Sequence, residues 1–211
     1  MPSATELVAA IDGDASTYLE ELIVGELPAF MQTSADGDNA VAVELVGPHL
    51  RLEGTIGLGY FRRLSDFMNN HDGLIQLRDA TILRRNGDPT KVRTPSIWLS
   101  PTEVTLIGQR ESDASPANVS DLRVSKTERS LIVVTPGHTV TGLVYLMEGA
   151  DLSGFIESSD PLFIPMTDVR TRSLADRRVT SRYDFGLLNR RQIVAATELL
   201  SGMAPQGRKV L

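Results

Sequence analysis

Apolar residues recur through Val41 to Val46 and again through Leu50 to Leu58, with Gly47-Pro48-His49 between them. Runs of this length bounded by turn residues predict two strands joined by a tight hairpin. Leu64, Phe67 and Met68, with Tyr60 behind them, have the i, i+3, i+4 spacing of one face of a short helix. Asp72-Gly73 ends that helix, and a strand follows through Leu74, Leu77 and Ile82. Asn86-Gly87 is a strong hairpin signal, because both central residues of a type I′ turn need positive φ. A return strand from Val92 to Leu99, a Ser100-Pro101 turn and a closing strand from Val104 to Ile107 complete the unit. The predicted order is β-β-α-β-β-β.

The same pattern occurs twice. At a spacing of 88, Val46-Gly47-Pro48 falls on Val134-Thr135-Pro136, Gly54 on Gly142, and Leu64-Ser65-Asp66-Phe67-Met68 on Leu152-Ser153-Gly154-Phe155-Ile156. One extra residue near Met166 shifts the spacing to 89, after which Asp79 meets Asp168, Arg93 meets Arg182 and Leu99 meets Leu188. The matches fall on turn residues and on apolar positions, which implies a tandem duplication. Only Gly54 of the run Gly54-Thr55-Ile56-Gly57-Leu58-Gly59 has a glycine partner. It predicts a close backbone approach or a bulge in a curved strand.

Five short strands per copy leave edges that must be hidden or blunted. The expectation is therefore a mainly β chain, α+β only in minor part, with each copy a small five-stranded Sm-like or SH3-like open barrel carrying a short helix. A pair of packed small sheets is the alternative. A copy of this size is marginal alone, so the two should share an interface as a pseudo-two-fold pair. The predicted organisation is an acidic helical N-terminal segment over 1–38, modules over 39–110 and 124–200, a linker over 111–123 and a loose tail over 201–211. In the first segment, Ser3 to Glu6 has capping-box spacing, Leu7, Val8 and Ile11 form one apolar stripe, and Leu19, Leu22, Ile23 and Leu27 form another. These helices should cover a barrel end.

The stretch from Leu52-Glu53-Gly54 through Arg63-Leu64-Ser65-Asp66-Phe67-Met68-Asn69 to Leu77-Arg78-Asp79-Ala80 resembles a bacterial domain family of unknown function. Its pattern is a glycine-containing strand, an RLSD-x-LN helix start and an LTDA-like turn. Copy two departs from it at Ala150-Asp151-Leu152-Ser153-Gly154-Phe155. The resemblance implies a repeated domain and a bacterial source, and names no active residue.

Charge adds an asymmetry. Residues 1–50 carry nine acidic groups, among them Glu44, and no Lys or Arg, leaving 18 acidic against 21 basic groups for the rest. Such segregation suits an acidic arm on a basic surface, although a solvated helical face accounts for it as well. The chain has no Cys, which excludes disulfides, thiolate catalysis and zinc–thiolate sites. It has no apolar run of about 20 residues and no signal-peptide pattern at its start, so a cytoplasmic protein without membrane contact is expected.

Candidate chemistry is sparse. His49, His71 and His138 lack metal-ligand spacing, and the glycine run matches no nucleotide fingerprint. Neither catalytic residues, a metal site nor a cofactor is expected. The remaining signal is arginine. Arg84, Arg85, Lys91 and Arg93 surround the first hairpin, Arg170, Arg172, Arg177, Arg178 and Arg182 the second, and Arg190 and Arg191 follow. Arg predominates over Lys, which suits bidentate contact with carboxylate or phosphate. The expected function is a non-enzymatic interaction, regulatory or scaffold role through a protein partner or self-association. The alternative is a binder of a phosphate-bearing ligand, such as single-stranded RNA or DNA or a nucleotide. Nucleic acid is disfavoured because paired aromatics for base stacking are absent and the chain is acidic.

Overall fold

Strands form where the apolar runs predict them, in a computed structural model that describes residues 39–48, 50–83, 91–110, 126–158 and 160–199. β1 (Ala40–Val46) and β2 (Arg51–Gly57) make the first hairpin, α1 (Leu64–Asn70) follows, and β3 (Ile75–Leu83), β4 (Lys91–Leu99) and β5 (Leu106–Gln109) complete the first half. The second half runs β6 (Lys126–Val134), β7 (His138–Met147), α2 (Leu152–Glu157), β8 (Phe163–Ser173), β9 (Thr180–Asn189) and β10 (Ala195–Glu198). A 3-10 turn precedes the last strand of each half, at Pro101–Glu103 and Arg190–Gln192. The expected N-terminal helices, the Asn86-Gly87 turn, the linker and the tail lie outside the described residues.

All ten strands among the described residues belong to one antiparallel sheet in the order β10-β6-β7-β8-β9-β5-β1-β2-β3-β4. The chain is thus mainly β, as expected, and the sheet stays open. Within each half the last strand pairs with the first, then the second, third and fourth follow. The pseudo-two-fold expectation does not hold. A two-fold would join like strand to like strand, whereas here the fifth strand of one half pairs with the fourth of the other, Leu106↔Leu188 to Gln109↔Phe185. The junction is head to tail.

Both halves bend at a bulge where the aligned glycine sits. Glu53 pairs with Thr81 and Thr55 with Arg78, so Asp79 and Ala80 together face Gly54. Thr141 pairs with Arg170 and Leu143 with Thr167, so Asp168 and Val169 face Gly142. Asp79 (φ 49°) and Asp168 (φ 46°) are the described non-glycine residues in the left-handed region. A Cβ on Gly54 would stand 2.7 Å from the Arg78 carbonyl, and one on Gly142 3.1 Å from that of Thr167. The glycines are therefore fixed by close backbone approach at a bulge, as the sequence predicted. The ladders Ile75↔Leu99 and Ile164↔Leu188 are already 89 apart, so the extra residue lies in the connection before β8 rather than near Met166.

Two cores form, and each borrows from the other half. The first holds Val43, Leu52, Ile56, Leu64, Met68, Ile75 and Leu77, together with Phe163 and Leu187 of the second half. The second holds Leu131, Val133, Val140, Val144, Ile164 and Met166, together with Val46 and Leu106 of the first. Strand alternation explains the exchange: one side of the β5–β9 pair sends Ile107 and Leu187 into the first core, and the other sends Leu106 and Leu188 into the second. α1 presents Leu64 and Met68 inward with Phe67 beside them, as predicted, while Tyr60 is 88% exposed and Phe61 packs in its place.

Candidate functional site

The densest polar grouping among the described residues lies where the halves meet. Glu44 on β1 stands opposite Glu53 on β2 and Gly108 on β5, and it is only 3% exposed. A carboxylate so placed needs partners. Arg51 Nε meets its Oε1, and Arg110 Nη2 lies 3.6 Å from its Oε2 while also meeting Glu53. Arg51 then crosses to the second half, donating from Nη2 to Ser181 Oγ at 2.9 Å.

Tyr183 closes the group. Its ring lies so close over Gly108 that a Cβ there would be 2.3 Å from two ring carbons, which makes that glycine obligatory. Burial first, and then the Glu44 charge, push the ionisation of Tyr183 well above the ordinary tyrosine range. A carboxylate neutralised by two guanidiniums beside a tyrosine held neutral is an ion network.

Hydrogen bonds fasten the same seam elsewhere. Buried Asn189 donates from Nδ2 to the Pro101 and Val104 carbonyls, at 3.1 and 2.8 Å, while its Oδ1 accepts from Arg191 N. Gln192 Nε2 donates to the Thr102 carbonyl at 2.7 Å. From α1, the Asn69 side chain donates to the Phe163 carbonyl and accepts from its amide, at 3.0 and 2.8 Å. The first-hairpin turns also approach each other, since a Cβ on Gly137 would lie 3.0 Å from the Pro48 carbonyl.

The arginines divide into three environments. Arg170, Arg172 and Arg182 project to the exposed side of β8 and β9, with Arg170 directly across from Arg182, and Arg177 and Arg178 lie exposed in the connecting turn. Asp168 meets Arg182 at 3.0 Å and Arg170 at 3.4 Å, so part of this cationic face is already paired. Lys91 and Arg93 are exposed on the edge strand β4, away from β8 and β9 in the sheet order, and Arg84 and Arg85 lie outside the described residues. Arg190 behaves differently. It is buried, its Nε donates to the Pro161 carbonyl and its Nη1 to the carbonyls of Phe155 and Ile156, and its guanidinium stands 5.1 Å from the Phe155 ring centre. Arg190 therefore holds the C-terminal end of α2, while neighbouring Arg191 is exposed.

The two described histidines occupy different places. His71 stacks on Phe67 at 4.7 Å and bonds the Leu74 carbonyl, His138 begins β7, and His49 lies outside the described residues. The sequence puts Glu44 in the predicted Val41–Val46 strand and also counts it among the acidic groups suited to an arm; the strand forms, and the side chain is buried in the seam network instead of lying in an arm. The signal for it was its place inside the Val41–Val46 run, where a charge facing solvent and one facing a second core look alike. Compared with family descriptions, curated proteins and solved structures, the chain matches none.

Proposed function

We propose that the chain is a non-enzymatic interaction or scaffold protein, built from two tandem copies of one Sm-like open-barrel module. The repeated strand order, the paired glycine bulges and the recurring 3-10 turns support the tandem reading. What carries the functional reading is the seam: β5 and β9 already join two modules edge to edge, and among the described residues β4 and β10 pair on one side only. An exposed strand edge is a template for another chain. The polar groups are spent on fastening modules together, which favours assembly over catalysis. Among the described residues no helix is long and apolar enough to cross a membrane.

Affinity capture from native lysate, with and without nuclease, tests this reading. A stoichiometric complex that survives nuclease is the expected result. Recovery only in nuclease-sensitive complexes would overturn it. That second outcome belongs to the alternative, in which Arg170, Arg172 and Arg182 bind a phosphate-bearing ligand. Their common exposed face favours it, and their pairing with Asp168 weighs against it. Phosphate contacts must weaken with salt, so binding of a labelled single-stranded RNA that ignores ionic strength excludes the alternative.

A further inference from the structure

The ten-stranded sheet ends in two unlike edges, and the chain itself shows how such edges meet. β10 is the second-half equivalent of β5, and β4 the first-half equivalent of β9. Inside the chain β5 pairs with β9. We propose that β10 of one molecule pairs with β4 of a second copy in the register of the internal seam: Ala195 opposite Leu99, Ala196 opposite Trp98, Thr197 opposite Ile97 and Glu198 opposite Ser96. This rests on the interaction reading above and names the partner.

Three observations carry it. First, apolar residues left open on or beside the two edge strands occupy positions that the internal seam buries. Leu74 is 51% exposed, and its second-half equivalent is Phe163, fully buried in the first core. Val194 is 68% exposed, and its first-half equivalent is Thr105, fully buried. Trp98 and Leu99 are half-buried where Leu187 and Leu188 are closed off. An exposed apolar edge of this kind marks an interaction surface.

Second, side-chain volumes trade across the proposed pair. Ile107 opposes Leu187 at the seam; at the outer edges small Ala196 would oppose large Trp98, so the extra bulk on β4 meets a deficit on β10.

Third, the backbone is correctly phased. Asn189 N donates to the Thr105 carbonyl across the seam, and Leu199 N donates to the Ser130 carbonyl on the inner side of β10. Strand alternation then turns the amides of Ala196 and Glu198 outward, as Ile107 and Gln109 are turned toward β9. Pro95 lies one residue beyond the proposed ladder and does not interrupt it.

Because unlike edges meet, the contact is head to tail. Such contacts close into rings or grow as filaments, and do not stop at a two-fold dimer. Light scattering after size exclusion should give a mass well above one chain for the full-length protein. Ala196→Pro and Trp98→Pro each remove an outward amide, which an edge strand tolerates. Each variant alone should be a monomer with wild-type circular dichroism. Mixed in equal amounts they should form a dimer and stop there, since one retains a sound β4 and the other a sound β10. A wild-type monomer at every concentration would overturn the proposal. So would assembly abolished by one proline and untouched by the other, which is the mark of a two-fold contact. Should the prolines unfold the chain, Leu74→Lys and Val194→Lys put charges at the same two edges, with the same complementation expected. If self-assembly fails while a nuclease-resistant complex persists, only the identity of the partner is wrong.

Discussion

The β5–β9 seam and the outer edges β4 and β10 are built from equivalent strands in different surroundings. At the seam every opposed pair but the last is buried on both sides, and the residues are Leu106, Ile107 and Gly108 against Leu188, Leu187 and Gly186. At the edges the same positions hold Ala195, Ala196 and Thr197, and Leu99, Trp98 and Ile97. Burial on two faces demands apolar side chains or glycine throughout, because each alternate residue enters a different core. The edges face one core only and carry small, polar or half-buried residues. Position in the sheet, more than place in the half, therefore sets composition.

Truncating one matched pair of positions puts this contrast to its most severe test. Leu187→Ala opens a cavity in the first core and should cost about 3 kcal/mol. Trp98→Ala, made in an Ala196→Pro chain to keep molecules separate, should cost about 1 kcal/mol or less, since its side chain is only partly buried and belongs to neither core. Urea unfolding followed by far-UV circular dichroism measures both. Equal losses would mean that the seam is no better packed than the edge.

A second matched pair tests the polar fastening. Asn189→Ala takes the amide donor from the Val104 carbonyl and one of two donors from the Pro101 carbonyl inside the seam, with an expected loss of about 2 kcal/mol. The hydroxyl of Ser100, its counterpart at the end of β4, shares a hydrogen bond with the exposed Thr102 hydroxyl at 2.7 Å. Ser100→Ala should therefore change stability by about 0.5 kcal/mol or less. Thermal unfolding of the two variants decides it. A mild Asn189→Ala would show that water replaces the amide and that the seam is not dry.

Most strands were legible because apolar runs and turn residues report local structure directly. Gly54 and Gly142 were legible as bulge positions, since a glycine that recurs inside a strand marks close backbone approach. The site was not. Which face of Glu44 meets a second module depends on how two halves join, and periodicity carries no information about that. Arg190 sits in an arginine pair and reads as surface charge, yet one carbonyl cluster at the end of α2 draws it inside while Arg191 stays in water. The two-fold expectation failed for the same reason: a recurring strand order describes each half but not the operator that relates the two halves.

Tyr183 extends the contrast to pH, because the seam buries a tyrosine where β4 has Thr94. Its folded-state ionisation lies above the ordinary tyrosine value of about 10. The folded chain thus holds this proton when the unfolded chain has released it. The stabilisation is complete below about pH 10 and declines as pH rises toward the folded value, by up to about 1.4 kcal/mol per pH unit. Tyr183→Phe should flatten that alkaline decline in urea midpoints. Glu44→Gln should flatten it only in part, because burial is the larger cause of the shift and the Glu44 charge the second. An unchanged alkaline slope in Tyr183→Phe would remove the tyrosine from the network.

The smallest effect separates the two bulges. Asp79 and Asp168 share the left-handed conformation, at φ 49° and 46°, which glycine adopts without strain. Asp79→Gly should raise stability by about 0.5–1 kcal/mol, the relief of an unfavourable backbone region outweighing the extra freedom of the unfolded chain. Asp168→Gly relieves the same strain but loses contacts to Arg170 and Arg182, each exposed pair worth about 0–1 kcal/mol. Its net change should be near zero at low salt and should move toward that of Asp79→Gly as salt screens the pairs. Calorimetry at two ionic strengths reads this directly. If Asp168→Gly gains as much as Asp79→Gly at low salt, the arginine pairs contribute nothing, and the cationic face of β8 and β9 is open to another anion.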